Sequence, residues 1–445
     1  MQIITARVVI LAASLAAAGV CPAYAQRAAP RAPAGGLFGA TRSDAGGRDK
    51  LNFTFHLAEG FDSALPPQLN ARVARGLDSG GLSTVLEASS DYHRSGRRLQ
   101  LTGNASTAFK HYLSVDRFEP VSHSVFLGAD VRVPKGSLKL EQGAAYSPSY
   151  LYQLFPTDTS APLAGAIPTN PEYQIAETDS YSYRTNAALS FGSAAATRVT
   201  TSGSLNRTDF AQQTASTRDL DTAEAGMTIV HNAGPSRRVS AGYDFRVGEF
   251  GSGGRTEEHS VTLGLAYSPA LSRTRRATFS VNLTPSRIDL PASALEGVTT
   301  DAVDQTLFRF SGEVVAEFPF RPNWRTAARY RRSLEYLSVV NQPMLADGAR
   351  VELSGLLSRR VDVSASAGYV TAASALAPSI PPLETYTGQV AVRYAMKRSV
   401  ALSLEYLYYY YDLAGQALFS PGLPNVFRQQ GVRIGAVLFL ETLGR

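Results

Sequence analysis

The sequence predicts an all-β fold: a closed antiparallel transmembrane β-barrel of about 18 strands, preceded by a cleaved leader. Three observations carry that expectation. Apolar residues recur at every second position over long segments, and short and long connections alternate along the chain. Only 18% of residues are charged, yet mean hydropathy stays near zero at -0.09. A soluble chain so poor in charge needs a strongly apolar core, whereas a barrel in lipid is greasy outside and polar inside, so its average cancels.

The first element is a targeting segment. Arg7 precedes an apolar run from Val8 to Val20, and Ala23-Tyr24-Ala25 supplies the small-x-small pattern for cleavage after Ala25. As a helix that run would span about 20 Å, short of a hydrocarbon core of about 30 Å. Residues 1–25 therefore read as a signal peptide; lipidation at Cys21 is the alternative, disfavoured by bulky Val20. Cys21 is the only cysteine, so the processed chain has no thiol for disulfides or metal ligation. Residues 26–49, rich in Ala, Pro, Gly and Arg, read as a flexible periplasmic lead-in, and 50–445 as the barrel.

From Leu51 onward the period is two. Leu51, Phe53, Phe55 and Leu57 open the series; Leu138 and Leu140, Val261 to Tyr267, Val351 and Leu353, and Val390 to Met396 continue it. Many segments run to ten residues or more, the length a tilted membrane strand needs. Short connections are expected near 93–98, 134–137, 192–198, 232–238, 268–276, 319–323, 358–360 and 397–399, with nine longer ones between them. That makes 18 strands with both termini periplasmic. Sixteen is the alternative, because the segments 82–92 and 199–208 alternate weakly.

Two hairpins can be registered from sequence. Folding Leu307–Tyr336 about Arg321 pairs Phe318 with Trp324 and Gly312 with Tyr330 outside, and Glu317 with Arg325 and Glu313 with Arg329 inside. The same fold puts Arg332 on the outer face beside Phe310, at a height where it leaves the apolar band. Folding 384–411 about Arg398 sets Gly388 opposite Tyr408.

The last strand, Arg433-Ile434-Gly435-Ala436-Val437-Leu438-Phe439-Leu440, matches the polar-x-Gly-x-x-apolar-x-apolar pattern near the end of many outer-membrane barrels. Arg433, Gly435, Leu438 and Leu440 would then form a signal for the barrel-insertion machinery. Glu441–Arg445 departs from the pattern, since many barrels end on an aromatic residue. The opening strand into Gly60-Phe61-Asp62, the Tyr181-Ser182-Tyr183 segment and Gly431-Val432-Arg433-Ile434-Gly435 resemble the β-barrel porins of the second type. That group is mostly uncharacterised, with some members linked to exopolysaccharide export. The resemblance covers most of 50–445 and implies location and architecture more than cargo.

Chemistry-bearing motifs are sparse. There is no P-loop, G-x-S-x-G elbow or H-E-x-x-H, and the six histidines are scattered, which favours isolated exposed or interfacial positions. No cofactor and no metal is expected. The net charge of +6 comes from arginines that read as spread along the chain rather than gathered in a stripe, so no nucleic-acid partner is expected. Inner-face candidates for lining a pore are Arg309, Glu313, Glu317, Arg325, Arg329, Arg331 and Glu335, with Arg393, Glu405, Tyr409, Tyr411 and Arg433 on the closing side. Glutamates four apart on a strand are separated by about 13 Å, too far for a glycosidase pair. Within Tyr408–Tyr411, parity sends Tyr409 and Tyr411 inward, where they could line a carbohydrate path.

The leading expectation is a channel for small hydrophilic solutes, or one assisting polysaccharide export, with loop 147–178 as its constriction. A structural or surface-interaction barrel with a filled lumen is the alternative, and an outer-membrane hydrolase the third. Expected partners are outer-membrane lipid, the insertion machinery and the transported solute or polysaccharide. A soluble secreted β-protein is the alternative to the architecture itself.

Overall fold

The computed structural model describes residues 49–63, 81–112, 117–147, 179–193, 196–211, 219–251, 255–272, 275–290, 305–321, 323–337, 342–375, 382–412 and 426–444. The expected leader, the lead-in up to residue 48, and 148–178 of the expected constriction lie outside them.

Eighteen strands follow one another: β1 (Asp49–Asp62), β2 (Gly81–Ser95), β3 (Leu99–Tyr112), β4 (Arg117–Val133), β5 (Gly136–Ser147) and β6 (Ser180–Gly192). They continue as β7 (Thr197–Phe210), β8 (Leu220–His231), β9 (Arg237–Phe250), β10 (Arg255–Tyr267), β11 (Thr278–Leu290) and β12 (Gln305–Arg321). The last six are β13 (Trp324–Leu337), β14 (Gln342–Ser358), β15 (Val361–Ser374), β16 (Leu383–Ala395), β17 (Val400–Asp412) and β18 (Val426–Gly444). The weakly alternating segments are true strands, β2 and β7. Each strand pairs antiparallel with its chain neighbours, and β1 pairs with β18 from Lys50↔Gly444 to Asp62↔Gly431, which closes the sheet. An even strand number brings Asp49 and Gly444 to one end, together with the short connections; this is the short-turn end.

Side chains take turns as the period demands. On β10, Val261, Leu263 and Leu265 are exposed on the outside, while Ser260 and Ala266 are buried on the inside. Exposed apolar side chains such as Leu57, Leu127, Leu283, Phe310 and Ile434 recur around the outer wall. This is the inverse of a soluble core, and it is what a hydrocarbon solvent requires.

Three connections expected to be long span only four residues: β3 to β4, β9 to β10 and β13 to β14. Their strands carry on past the apolar band, because backbone pairing needs a partner strand and not a greasy face.

The Leu307–Tyr336 hairpin corrects the expected register. Val314, not Gly312, lies opposite Tyr330, and Gly312 lies opposite Arg332. Arg321 pairs with Trp324, and the register shifts between Phe318 and Arg321 at Pro319, whose missing N–H cannot join the ladder. The net slip is two residues, so every side chain keeps its face. Trp324 meets Phe320, at 5.8 Å between ring centroids, instead of Phe318. Arg332 stands outward as expected, paired to Asp347 at 3.5 Å rather than set beside Phe310, and Tyr330 donates to the same carboxylate at 2.6 Å. The other hairpin keeps its register, with Gly388 opposite Tyr408.

The connection between β4 and β5 holds two residues, Pro134 and Lys135, and Lys135 has a φ of 68°. A left-handed conformation crowds a side chain and suits glycine. Lys135→Gly is expected to raise the unfolding free energy by about 0.5–1 kcal/mol, read as a higher denaturant midpoint for the detergent-solubilised barrel.

Candidate functional site

The interior is the only enclosed polar surface of the described residues, and its walls differ. On β12–β14 the charges form a half-exposed ladder. Glu317 takes Arg325 at 2.8 Å, Glu313 takes Arg329 at 3.4 Å, and Glu335 takes Arg331 at 3.4 Å. The first two pairs are those expected from sequence, but they form diagonally: Glu317 lies directly opposite Ala327 and Glu313 opposite Arg331. Long side chains reach across the two-residue slip, which is why the contacts survive a wrong register. On β14, Arg350 and Glu352 extend the ladder at 2.6 Å. Opposite-charge pairs in a wet lumen contribute little to stability, so this wall leaves its acidic and basic side chains within reach of solute.

An acidic patch lies on β8–β10. Arg246 sits 3.6 Å from both Glu224 and Glu258, with Asp244 on the same inward face of β9. From there Arg246 Nη1 donates to the Leu334 carbonyl at 3.2 Å, reaching β13 from four strands away. That reach is possible because the end of β13 leaves the wall. Its pairing with β12 stops at Gly312↔Arg332, while β12 stays paired to β11 as far as Gln305↔Leu290. Leu334 is consequently 4% exposed, packed with Ile288, Leu290 and Ala375. Arg309 Nη2 donates to the Ala375 carbonyl at 3.3 Å and tethers the end of β15 to the same cluster. The paired ends of β13 and β14 thus fold over the lumen at the long-loop end.

The third wall, β15 to β2, is dry. Arg393, Glu405, Tyr409, Tyr411 and Arg433 all face inward as their parity requires, and all are at most 8% exposed. Arg393 grips Asp362, directly opposite on β15, through two hydrogen bonds of 3.0 and 2.6 Å. His56 lies across β18: its Nε2 meets Ser403 Oγ at 2.9 Å and its Nδ1 meets Glu87 Oε2 at 3.3 Å. Gly435 makes this possible, since a Cβ there would stand 2.7 Å from His56 Nε2 and 2.6 Å from the Leu57 carbonyl. In the terminal motif, Arg433 and Gly435 face inward, and Leu438 and Leu440 face outward.

His56 departs from the expectation of isolated histidines. Serine, histidine and glutamate in this order have the contacts of a hydrolytic triad. Here Ser403 sits mid-strand with both flanking ladders formed, so its neighbouring N–H groups are committed and give no oxyanion hole. At 3% exposure Ser403 also has no room for an acyl group. The arrangement works instead as a clamp between β17, β1 and β2 across the closing seam. Sequence reasoning missed His56, Glu87, Asp362 and Arg246 as interior groups with partners. The His56–Glu87 and Arg393–Asp362 contacts each join residues 31 positions apart, His56–Ser403 joins residues 347 apart and Arg246–Leu334 residues 88 apart, so no local pattern announces them.

No family model matches the chain, and no curated protein matches it. Among solved structures, OpdQ of Pseudomonas aeruginosa aligns at 9% identity over 88% of this chain and 98% of its own, with a TM-score of 0.43. OccAB4 of Acinetobacter baumannii aligns at 11% identity over 89% and 98%, with a TM-score of 0.41. A loop-deletion mutant of OmpT, an outer membrane protein of Vibrio cholerae, aligns at 10% identity over 88% and 100%, with a TM-score of 0.36. Likeness at this level assigns neither family nor function.

The seam yields two expected outcomes. Asp362→Ala leaves a buried guanidinium without its carboxylate and should cost about 3–5 kcal/mol, whereas Asp362→Ala with Arg393→Met should recover most of that. Gly435→Ala should cost about 1–3 kcal/mol by pushing His56 off Ser403. Denaturant titration of the folded barrel in detergent measures both.

Proposed function

We propose that the chain is an outer-membrane channel for hydrophilic solutes. The observation that carries this reading is the pairing of a lipid-facing outer wall with a half-exposed charged ladder on β12–β14 inside a closed 18-strand ring. A ring of this size is wide enough for an aqueous lumen. Water and solute pass along the β12–β14 wall and the acidic patch of β8–β10, and the folded-over ends of β13 and β14 narrow the long-loop mouth. The short turns face the periplasm in this reading, and with them both ends of the chain. The solute is a small hydrophilic molecule or a polysaccharide in export, and the insertion machinery reads β18 during assembly. No step of covalent chemistry is assigned to any residue.

One observation favours a second reading. The buried wall from β15 to β2 means that part of the lumen is occupied, and a barrel filled throughout would serve structure or surface binding instead.

Single-channel recording in planar bilayers separates the two. Steady ion steps are expected, and a folded barrel that stays silent would sink the channel reading. Arg246→Ala removes the hydrogen bond that holds the end of β13 and widens a charged constriction, so conductance is expected to rise about twofold or more at unchanged fold. An unchanged conductance would mean the β13 end does not narrow the path.

A further inference from the structure

Glu224, Asp244 and Glu258 share the inward face of β8–β10 with one base, Arg246, and the register sets them in rungs. Glu224, Arg246 and Glu258 form the middle rung. Gly226, Asp244 and Ser260 lie on one side of it, and Thr222, Gly248 and Thr256 on the other. Arg246 donates to the Leu334 carbonyl and stands 3.6 Å from each glutamate, longer than a charge-assisted hydrogen bond. The Asp244 carboxylate makes neither an ion pair nor a hydrogen bond among the described residues; Ser260 opposite it donates to its backbone carbonyl instead. A Cβ at Gly226 would collide with this carboxylate, so the glycine is what lets Asp244 lie over β8 beside Glu224.

Burial adds an observation independent of charge. Thr256 is fully buried, and its hydroxyl has no hydrogen-bond partner among the described residues. Glu258 is 7% exposed, and its Oε2 has none either. Across the ladder to β11, Glu258 meets Ile288, whose side chain has no donor to offer. A buried acceptor without a donor loses its bond to water and gains nothing in return, so this pair favours a bound group that brings donors. Glu258 and Thr256 lie two residues apart on one strand face, close enough to grip one such group.

The open acceptors fall into two sets on either side of Arg246. Glu258 Oε2 with Thr256 Oγ1 makes one, and Asp244 with Glu224 the other. Asp244 and Glu258 stand diagonally across the ladder, about 7–8 Å apart, a span that a short methylene chain covers. An ammonium group donates three hydrogen bonds and accepts none, which is what each set of acceptors calls for. No three His, Cys, Asp or Glu side chains among the described residues converge closely enough to hold a metal ion.

We propose that the β8–β10 patch binds an aliphatic diamine, with one ammonium held by Glu258 and Thr256 and the other by Asp244 and Glu224. Arg246 keeps the two ammonium positions apart and ties the patch to the folded-over end of β13. A solute crossing that narrowing passes along the patch. The site therefore rests on the channel reading for its role, and it gives the hydrophilic solute a charge.

The test is equilibrium dialysis of radiolabelled putrescine against the detergent-solubilised full barrel at constant ionic strength. Saturable binding is expected, with butylamine competing about tenfold or more weakly and butanediol not at all. Asp244→Asn with Glu258→Gln should weaken putrescine binding about tenfold or more, and Thr256→Val severalfold. Glu249→Gln with Glu257→Gln removes the same charge from the outward face of the same two strands and should leave binding within about twofold. Heat-modifiable gel mobility reports whether each variant folds, and Thr256→Val, which keeps every charge, carries the test if the double variant does not. Absence of saturable binding, equal competition by butylamine, or unchanged affinity in the folded inward variants overturns the proposal. So does displacement by magnesium as effective as by unlabelled putrescine. Conductance plays no part in this readout: a silent barrel that binds putrescine removes the channel reading alone, and a conducting barrel that does not bind it removes this site alone.

Discussion

In a hydrocarbon solvent no backbone N–H or C=O can be left for water, and the pairing of β1 with β18 is what meets that constraint here. Thirteen residues of β1 find partners on the final strand, and with them the sheet loses both edges. Everything else depends on that closure. It defines an inside, it brings the chain's two ends together, and it places His56, Glu87, Ser403 and the Asp362–Arg393 pair around one seam. Sealing the first strand to the last is a long-range event, and the most buried polar contacts of the barrel cluster where it occurs.

The interior that results is not uniform. A dry wall with matched partners carries the closing strands, while a half-exposed wall of ion pairs stands directly beside it on β12–β14. Burial makes the first rigid, because each group there loses more from a missing partner than it gains from a present one. Exposure makes the second adaptable, since its charges stay hydrated and can exchange partners with a solute. The folded-over ends of β13 and β14 join the two ideas: the wall opens above Arg332 because Leu334 gains more by packing on Ile288 and Leu290 than by facing outward.

Charge follows the same division of labour along the axis. At the long-loop rim Arg207, Arg255 and Arg287 each pair with a carboxylate, while the eight short connections, taken with two residues on either side, hold seventeen of the chain's 43 arginines and lysines and a single acid, Asp362. An axial charge gradient of this kind acts on ions before any contact forms, and so bears on which solutes enter and from which end.

Much of this was legible in the residues. Period-two alternation determined the fold class and the face of almost every side chain, including the inward Tyr409 and Tyr411, because parity is a local property of an extended backbone, while the connections pointed to 18 strands with 16 left open. Parity even outlived a wrong register in the Leu307–Tyr336 hairpin, where a later turn centre and the irregularity between Phe318 and Arg321 together moved the pairing by two. Register, by contrast, depends on where a bulge falls. Which inner side chains are wet and which are dry depends on the far side of the lumen. The meeting of His56 with Ser403, the reach of Arg246 to Leu334 and the gathering of distant arginines at one mouth were decided by tertiary structure alone, since closing a sheet makes neighbours of residues that a linear pattern keeps hundreds of positions apart.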